Sequence, residues 1–167
     1  MSIDLQQQID DLAGMLERLR KSDMGGTTGS FIPTLVGSGV AGTFTYTSPG
    51  TLVEWTQIDN RLLFNGRIVI TAIAVAPTLN MTINGFPYAG VSDATMAIAG
   101  GGTMFGWRGI TLPAGFTQVG LQAANGSTSL TIIRQGSNAA ATIVQGAEIV
   151  LVGGVLDFRF EGQYRVA

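Results

Sequence analysis

Apolar residues follow two different patterns along the chain, and the change comes near Met24. Before Met24 they recur in alternating steps of four and three residues, which is the heptad repeat of a coiled coil. The pattern predicts a stalk helix over residues 1–24 that associates with copies of itself. Its predicted oligomerisation core consists of Leu5, Ile9, Leu12, Leu16 and Leu19. The alternative is a single amphipathic helix packed against the rest of the protein.

Beyond Met24 the chain consists of short segments in which apolar and polar residues alternate, separated by Gly, Asn and Pro. Residues 25–30 predict a flexible, glycine-rich linker. The Asn-Gly pairs at 84–85 and 125–126 predict hairpin turns. The strand candidates are residues 43–47, 52–58, 61–75, 81–83, 119–123, 129–134, 148–152 and 155–160. Short strands with no helix between them predict a mainly β head over residues 31–167, an antiparallel β-sandwich or jelly roll.

The composition favours self-association. Hydrophobic residues make up 46% of the 167 residues and charged residues only 12%. So few charges leave much apolar surface to be covered, and we expect copies of the same chain to cover it. We expect no membrane insertion, because the apolar runs at 68–76 and 149–156 are much shorter than the roughly 20 residues of a spanning helix.

Charge and residue types exclude further classes of function. Six acids balance six arginines in residues 25–167, and a neutral body without a basic stripe does not fit nucleic-acid binding. The absence of Cys and His removes the commonest nucleophile–base pairs and transition-metal ligands, so we expect no cofactor and no metal. The acidic, amphipathic N-terminus is not a secretory signal, which predicts synthesis and assembly in a cytoplasm.

Several segments of the chain resemble the head domains of small tailed-bacteriophage virion fibre proteins, of the tail-fibre or head-fibre type. The residues that carry the resemblance are 31–35, 44–46, Gly50, 55–58, 61–68, 83–87 and 157–164. These motifs are loose patterns of turn and strand residues that specify no chemistry, although they cover most of residues 31–164. The resemblance implies a virion protein, a homotrimer built on a coiled-coil neck, and a β-sandwich head.

Fibres of this type usually carry a separate virion-anchoring domain ahead of the neck, whereas this sequence begins with the predicted neck. We therefore expect either that the N-terminal helix docks into another virion protein, or that the protein is a short fibre or a decoration on the capsid or baseplate. The leading hypothesis is a homotrimeric short fibre or spike that attaches the virion to a glycan or protein of the host surface. The alternative is a capsid decoration or cement protein, a head fibre that stabilises the capsid.

Residues 100–109 form the densest unusual segment, in which glycines are mixed with aromatic residues and an arginine. A phosphate-binding loop would need a following helix and a lysine, and neither is present there. We expect a loop or bulged strand that presents Phe105, Trp107 and Arg108, and we add Tyr88 as a fourth candidate surface contact. The alternative is that these aromatic side chains fill the core or the trimer interface.

Other residues in the predicted strands have structural interpretations. The aromatic residues expected in the core are Trp55, Phe64, Phe158 and Phe160. Two arginines that lie inside strands, Arg67 and Arg134, are expected to face solvent or to pair across subunits rather than to bind a ligand.

We expect the protein not to be an enzyme. Glycoside hydrolysis needs only two carboxylates, so the absence of His does not exclude it. The acids of the head are scattered along the sequence: Glu54, Asp59, Asp93, Glu148, Asp157 and Glu161. Nothing in their spacing predicts that two of them meet, and a small glycan-cleaving virion enzyme is the second alternative.

Overall fold

A computed structural model of the chain describes residues 12, 14, 26–92, 95, 97–137 and 139–167. The strands, in chain order, are β1 (Thr27–Phe31), β2 (Thr34–Gly37), β3 (Thr43–Tyr46), β4 (Leu52–Ile58), β5 (Arg61–Val75), β6 (Met81–Asn84), β7 (Ile98–Arg108), β8 (Gln118–Ala124), β9 (Ser129–Gly136), β10 (Ala139–Ile143) and β11 (Leu156–Arg165). A 3₁₀ turn at Gly146–Glu148 precedes β11. The pairings between these strands are antiparallel, and the mainly β prediction is confirmed.

The strands form one hydrogen-bonded sheet, in the order β1-β4-β5-β11-β7-β8-β9-β6-β2, with β3 beside β5 and β10 beside β9. The sheet is curled, because its outermost strands, β1 and β2, are joined by Ile32 and Pro33 alone, a link that spans about 11 Å at most. A hydrogen bond of 2.8 Å from the Leu35 amide to the Tyr46 hydroxyl also ties β2 to β3. The predicted sandwich of two packed sheets is therefore not confirmed, since one continuous curled sheet encloses the core.

The long strand β5 explains why the sheet is continuous. Its first part pairs with β4 and its last part with β3 along the same edge, so β3 and β4 act as one interrupted strand. The interruption, residues 47–51, contains the cis peptide bond Ser48–Pro49. The Thr51 hydroxyl fastens this turn to β5, because it accepts a hydrogen bond from the Val69 amide at 2.9 Å and donates one to the Val69 carbonyl at 3.1 Å.

The core lies on one face of the sheet, as strand β11 illustrates. Phe158 and Phe160 are fully buried, and they alternate with Asp157, Arg159 and Glu161, which point to the opposite side. We call that opposite side the outer face. Each buried large apolar side chain contributes roughly 1.5–3 kcal/mol of hydrophobic free energy. This alternation therefore fixes which side of β11 is covered.

Aromatic rings join the strands within the core. Phe64 packs edge-on against Phe86 at 5.2 Å between ring centroids, and Phe86 packs against Tyr164 at 5.9 Å. The predicted core residues Phe64, Phe158 and Phe160 are buried, and Trp55 is half-buried and packs against the same cluster. The core prediction is confirmed for the three phenylalanines and holds in part for Trp55.

Several strand predictions are confirmed and two local ones are wrong. Strands β4 and β5 have the predicted bounds, and the turn at 125–126 joins the hairpin β8–β9. The Asn-Gly pair at 84–85 makes no hairpin, because β6 pairs with β2 and β9, which lie far from it in sequence. Residues 148–152 form isolated bridges and part of the 3₁₀ turn in place of a strand.

The predicted stalk falls almost entirely outside the described residues. Leu12 and Gly14 are described, both with helical backbone, and the Leu12 side chain is 59% exposed. The other predicted oligomerisation residues, Leu5, Ile9, Leu16 and Leu19, lie outside the described part of the chain, and the coiled coil stays a prediction. Within the described ranges, no helix has the length and apolar character needed to cross a membrane.

The predicted linker differs from the structure over residues 27–30, which belong to β1 and hence to the head. Their backbone pairs with the edge of β4, where Gly29 stands opposite Trp55. A side chain at Gly29 would overlap the Trp55 ring, so this glycine permits close packing and does not mark a flexible joint. The polar, glycine-rich composition hid the strand because its hydrogen bonds come from a partner about 26 residues away.

Candidate surface-binding site

Strand β7 carries three of the predicted contact residues, and a β-bulge orients them. Arg159 of β11 stands opposite Gly106, and the next residue, Phe160, stands opposite Met104, so Phe105 is the extra residue of the bulge. Bulges redirect side chains and increase the local twist. The Phe105 side chain is consequently 58% exposed, while Met104 beside it is buried. The prediction of a bulged strand over this segment is confirmed.

Arg108 lies at the end of β7 on an exposed position, directly opposite Asp157. Its guanidinium lies against the turn between Val152 and Val155, in the space that the missing side chain of Gly153 leaves free. Gly153 has a φ of +59°, a conformation that glycine adopts without steric cost. The turn therefore holds Arg108 in place from one side.

Arg67 and Arg159 are cross-strand neighbours on the outer face. Asp157 binds Arg67 in a bidentate ion pair, with Nε–Oδ1 and Nη2–Oδ2 distances of 2.9 and 2.7 Å. The hydrogen bonds from Arg67 are the largest cause that lowers the pKa of Asp157, and the positive charges of Arg67, Arg159 and Arg108 lower it further. Asp157 is thus held in its charged form by three surrounding arginines.

These residues line a shallow depression of about 290 Å³ between β7 and β11. Its walls are Phe105, Gly106, Trp107, Arg108, Asp157 and Arg159. We call it the β7–β11 depression. It combines an exposed aromatic ring with two exposed guanidinium groups, a combination suited to stacking and to bidentate hydrogen bonding of oxyanions.

The four predicted contact residues do not come together. Phe105 and Arg108 are exposed at the depression, whereas Trp107 is half-buried and packs partly against the core. Tyr88 lies elsewhere: its ring packs edge-on against Trp55 at 5.5 Å, and its carbonyl accepts a hydrogen bond of 2.8 Å from the Tyr164 hydroxyl. Burial of Tyr164 raises the pKa of its hydroxyl, which keeps this donor protonated.

A larger depression of about 950 Å³ lies farther along the outer face, across β1, β4, β5, β11 and β7. The strand register places Glu54 and Glu161 on either side of Asn65, each as a direct cross-strand neighbour. The two glutamate Cα atoms are therefore separated by two strand spacings, roughly 10 Å. Ser30 and Thr103 extend this row of polar residues to the neighbouring strands. The fold thus brings together two acids that are 107 positions apart in sequence.

Both strand arginines form ion pairs within the chain. Arg67 also faces solvent, as expected, with its side chain 43% exposed, whereas Arg134 is largely buried, contrary to the expectation. Arg67 pairs with Asp157, as described above. Arg134 forms an ion pair with Glu148 of the 3₁₀ turn, and its guanidinium lies 4.8 Å from the centre of the Phe116 ring. In the described ranges no group of three or more His, Cys, Asp or Glu residues could hold a metal ion.

Sequence reasoning missed Arg159 and Asp157 as neighbours of the predicted contacts. The alternation in β11 places both on the outer face, and that signal was available from the sequence. Their position beside Phe105 and Arg108 depends on the pairing of β11 with β7, whose paired residues are roughly fifty positions apart. No local pattern specifies that pairing.

Comparisons with known proteins identify the fold. No protein-family model matches the chain, and no curated protein matches it significantly. The structure is similar to that of the Dettilon tailspike protein (gp208), with a TM-score of 0.64 and 19% sequence identity. The similarity covers 85% of this chain and 24% of the tailspike chain. The chain thus shares its fold with a part of a phage tailspike, about a quarter of that protein's length.

Proposed function

We propose that the protein is a non-enzymatic phage virion component, a homotrimeric short fibre or spike whose β head attaches the particle to the host surface. The single observation that carries the proposal is the shared fold with part of a phage tailspike over 85% of the chain. The exposed aromatic and arginine side chains of the β7–β11 depression support a binding role, because such residues dominate the energetics of recognition surfaces.

The trimer is supported by apolar side chains that the single chain leaves exposed. Ile58 and Leu63 are neighbours on the outer face, and they are 51% and 40% exposed. Val40 and Leu79, 46% and 60% exposed, lie on two segments joined by a hydrogen bond from the Thr78 amide to the Val40 carbonyl. Association of heads would remove such surface from water at about 25 cal/mol per Å².

The heptad pattern of residues 1–24 supports a role for the N-terminal segment in joining the three chains. An isolated helix of this length is marginal in water, so we propose that oligomerisation and docking into another virion protein hold it. In this arrangement the N-terminal segment anchors the protein and the head is presented to the host.

The test uses particles that lack the protein and particles to which purified protein is added back. We expect depleted particles to lose adsorption to host cells, and free purified protein to compete with intact particles for adsorption. Normal adsorption of depleted particles, combined with loss of capsid stability on heating, would instead support the decoration or cement function and contradict attachment.

A glycan-cleaving activity is the second candidate, and the pair Glu54 and Glu161 is the observation that favours it. Two carboxylates on either side of a depression are the minimum that glycoside hydrolysis requires. To distinguish the attachment function from glycan cleavage, the protein is incubated with host-surface glycans and new reducing ends are detected. We expect no turnover; sustained turnover that Glu54→Gln and Glu161→Gln abolish would establish the enzyme.

A further inference from the structure

The outer face presents a cluster of positive charge that the fold itself does not neutralise. Arg67, Arg108 and Arg159 surround the single carboxylate of Asp157, so the cluster carries a net charge of +2. Both carboxylate oxygens of Asp157 accept hydrogen bonds from Arg67. Within the described part of the chain, neither Arg108 nor Arg159 takes part in an ion pair.

This arrangement is unfavourable for the protein alone. Arg159 and Arg67 are direct cross-strand neighbours, and like charges in that position destabilise a sheet. The nearest further acid along β11, Glu161, lines the larger depression and does not line this one. A bound anion would supply the missing negative charge.

We infer that the β7–β11 depression binds an oxyanion carried by a sugar, a carboxylate or a phosphate group of an acidic surface polysaccharide. Arg108 and Arg159 donate hydrogen bonds to the anion, and the exposed Phe105 ring stacks on the face of the sugar. Guanidinium groups pair with carboxylate and phosphate in a planar, two-point geometry, which suits both forms of the anion. The inference deepens the proposed attachment function and rests on it for its biological meaning.

The β7–β11 depression is open at Gly106, because glycine has no side chain to fill the space there. A Cβ atom at Gly106 would lie 3.8 Å from the Cβ and Cδ atoms of Arg159, which is an ordinary contact, and its backbone lies outside the positive-φ region. Gly106 can therefore be replaced without local strain, and a larger side chain would occupy the space between Arg159 and Phe105. This provides a way to block the site without changing its charge.

The experiment measures binding of the full-length protein to labelled oligogalacturonate, which carries carboxylates, and to a phosphorylated oligosaccharide, with methyl-esterified oligogalacturonate as the neutral control. We expect saturable binding to one or both acidic probes and none to the neutral one. The stronger of the two acidic probes identifies the oxyanion. Arg108→Gln and Arg159→Gln should each weaken binding about tenfold, as expected for loss of a charge-assisted hydrogen bond. Gly106→Leu should weaken it comparably.

The matched control is Arg61→Gln. Arg61 is exposed on the same face of β5, also opposite an arginine, Arg165, but about 20 Å along the strand from Arg67. We expect Arg61→Gln to bind as the unaltered protein does. Equal weakening of binding by Arg61→Gln would show general charge attraction and overturn the inference. So would unchanged binding by the Gly106→Leu variant. The absence of saturable binding to either acidic probe would overturn it as well. Unchanged thermal unfolding midpoints establish that the variants fold.

Competition for adsorption separates this inference from the proposed function. If Arg159→Gln protein still competes with particles but no longer binds the acidic probe, the attachment proposal stands and the depression is not its site. If the protein binds the acidic probe specifically but never competes for adsorption, the depression is an anion site and the attachment proposal fails.

Discussion

Asp157 shows how a single residue organises its surroundings on the outer face. Its carboxylate binds Arg67 through two hydrogen bonds, and it lies directly opposite Arg108. The arginine side chain is 43% exposed and the aspartate 22%, so water screens the pair substantially. We therefore expect Asp157 to orient Arg67 and moderate repulsion among the arginines more than to add stability.

The pH dependence of stability provides a test of this ion pair. The folded state lowers the pKa of Asp157 below its ordinary value of 3.8. A carboxyl group with a lowered pKa stabilises the fold above that ordinary value, and the contribution is lost as the pH falls through the folded-state pKa. Asp157→Asn should therefore reduce the free energy of unfolding at pH 7 by about 0.2–1 kcal/mol, as for exposed ion pairs. Urea unfolding at pH 7 and at successively lower pH below 4 should show the difference shrinking.

Glu161→Gln is the control for this measurement. Glu161 lies on the same strand and the same face, and it makes no ion pair with any residue that the structure describes. We expect its effect on stability to be small and nearly independent of pH. A difference for Asp157→Asn that stays constant down to pH 2 would contradict the role assigned to the charge of Asp157.

At the scale of elements, the close approach of β7 and β11 explains the glycine-rich start of β7. Gly102 stands opposite Gly162, and a Cβ atom at Gly102 would overlap the carbonyl oxygen of Glu161. A Cβ atom at Gly162 would meet the ring of Phe64 at 2.7 Å. The glycines permit dense packing between strands, and this is the physical reason for a segment that superficially resembles a phosphate-binding loop.

Gly102→Ala should consequently destabilise the pairing of β7 with β11. Overpacking of this kind costs typically 1–3 kcal/mol, and we expect a decrease of that size in the free energy of unfolding measured with denaturant. Gly106→Ala is the matched control four residues along the same strand, where the new methyl group meets only ordinary contacts. Equal stability of the two variants would contradict the close-packing explanation.

Local sequence patterns predicted some of the strands and turns correctly and failed for others. Alternation indicated the first part of β5, residues 61–66, because burial of one face imposes a local period of two; residues 68–70 are all buried and depart from that period. The hairpin predicted from the turn pair Asn84 and Gly85 is absent, since a turn sequence does not specify which strand lies beside β6. The glycine-rich segment 100–109 indicated a bulged strand, but nothing in it located the bulge at Phe105, because the position of a bulge is defined only relative to the partner strand.

At the scale of the whole molecule, the proposed trimer depends on both the exposed apolar residues of the head and the heptad pattern of residues 1–24. We expect light scattering to give about three times the 17.4 kDa chain mass. Replacing both Leu12 and Leu16 with Asp should abolish the coiled coil, since charges at these positions oppose apolar packing, and the head should remain folded as a looser oligomer. Circular dichroism and scattering together report both effects.

Glu17→Gln serves as the control in the same predicted helix, because position 17 falls outside the apolar repeat. For the unaltered protein, a solution mass near that of one chain would contradict the trimer. A double variant with full trimer mass and unchanged helical signal would show that residues 1–24 do not join the chains, and would favour the single packed helix.

The sequence alone determined the mainly β character of the head, its long central strand and the residues that face the core. These properties are local, because alternation, turn residues and side-chain size act over a few positions. The tertiary structure decided the strand order, the curl of a single sheet and the meeting of outward residues. Arg67 and Asp157 are 90 positions apart, and their contact exists only because β5 and β11 pair in one register. That register is selected by burial of the whole core, which no short segment encodes.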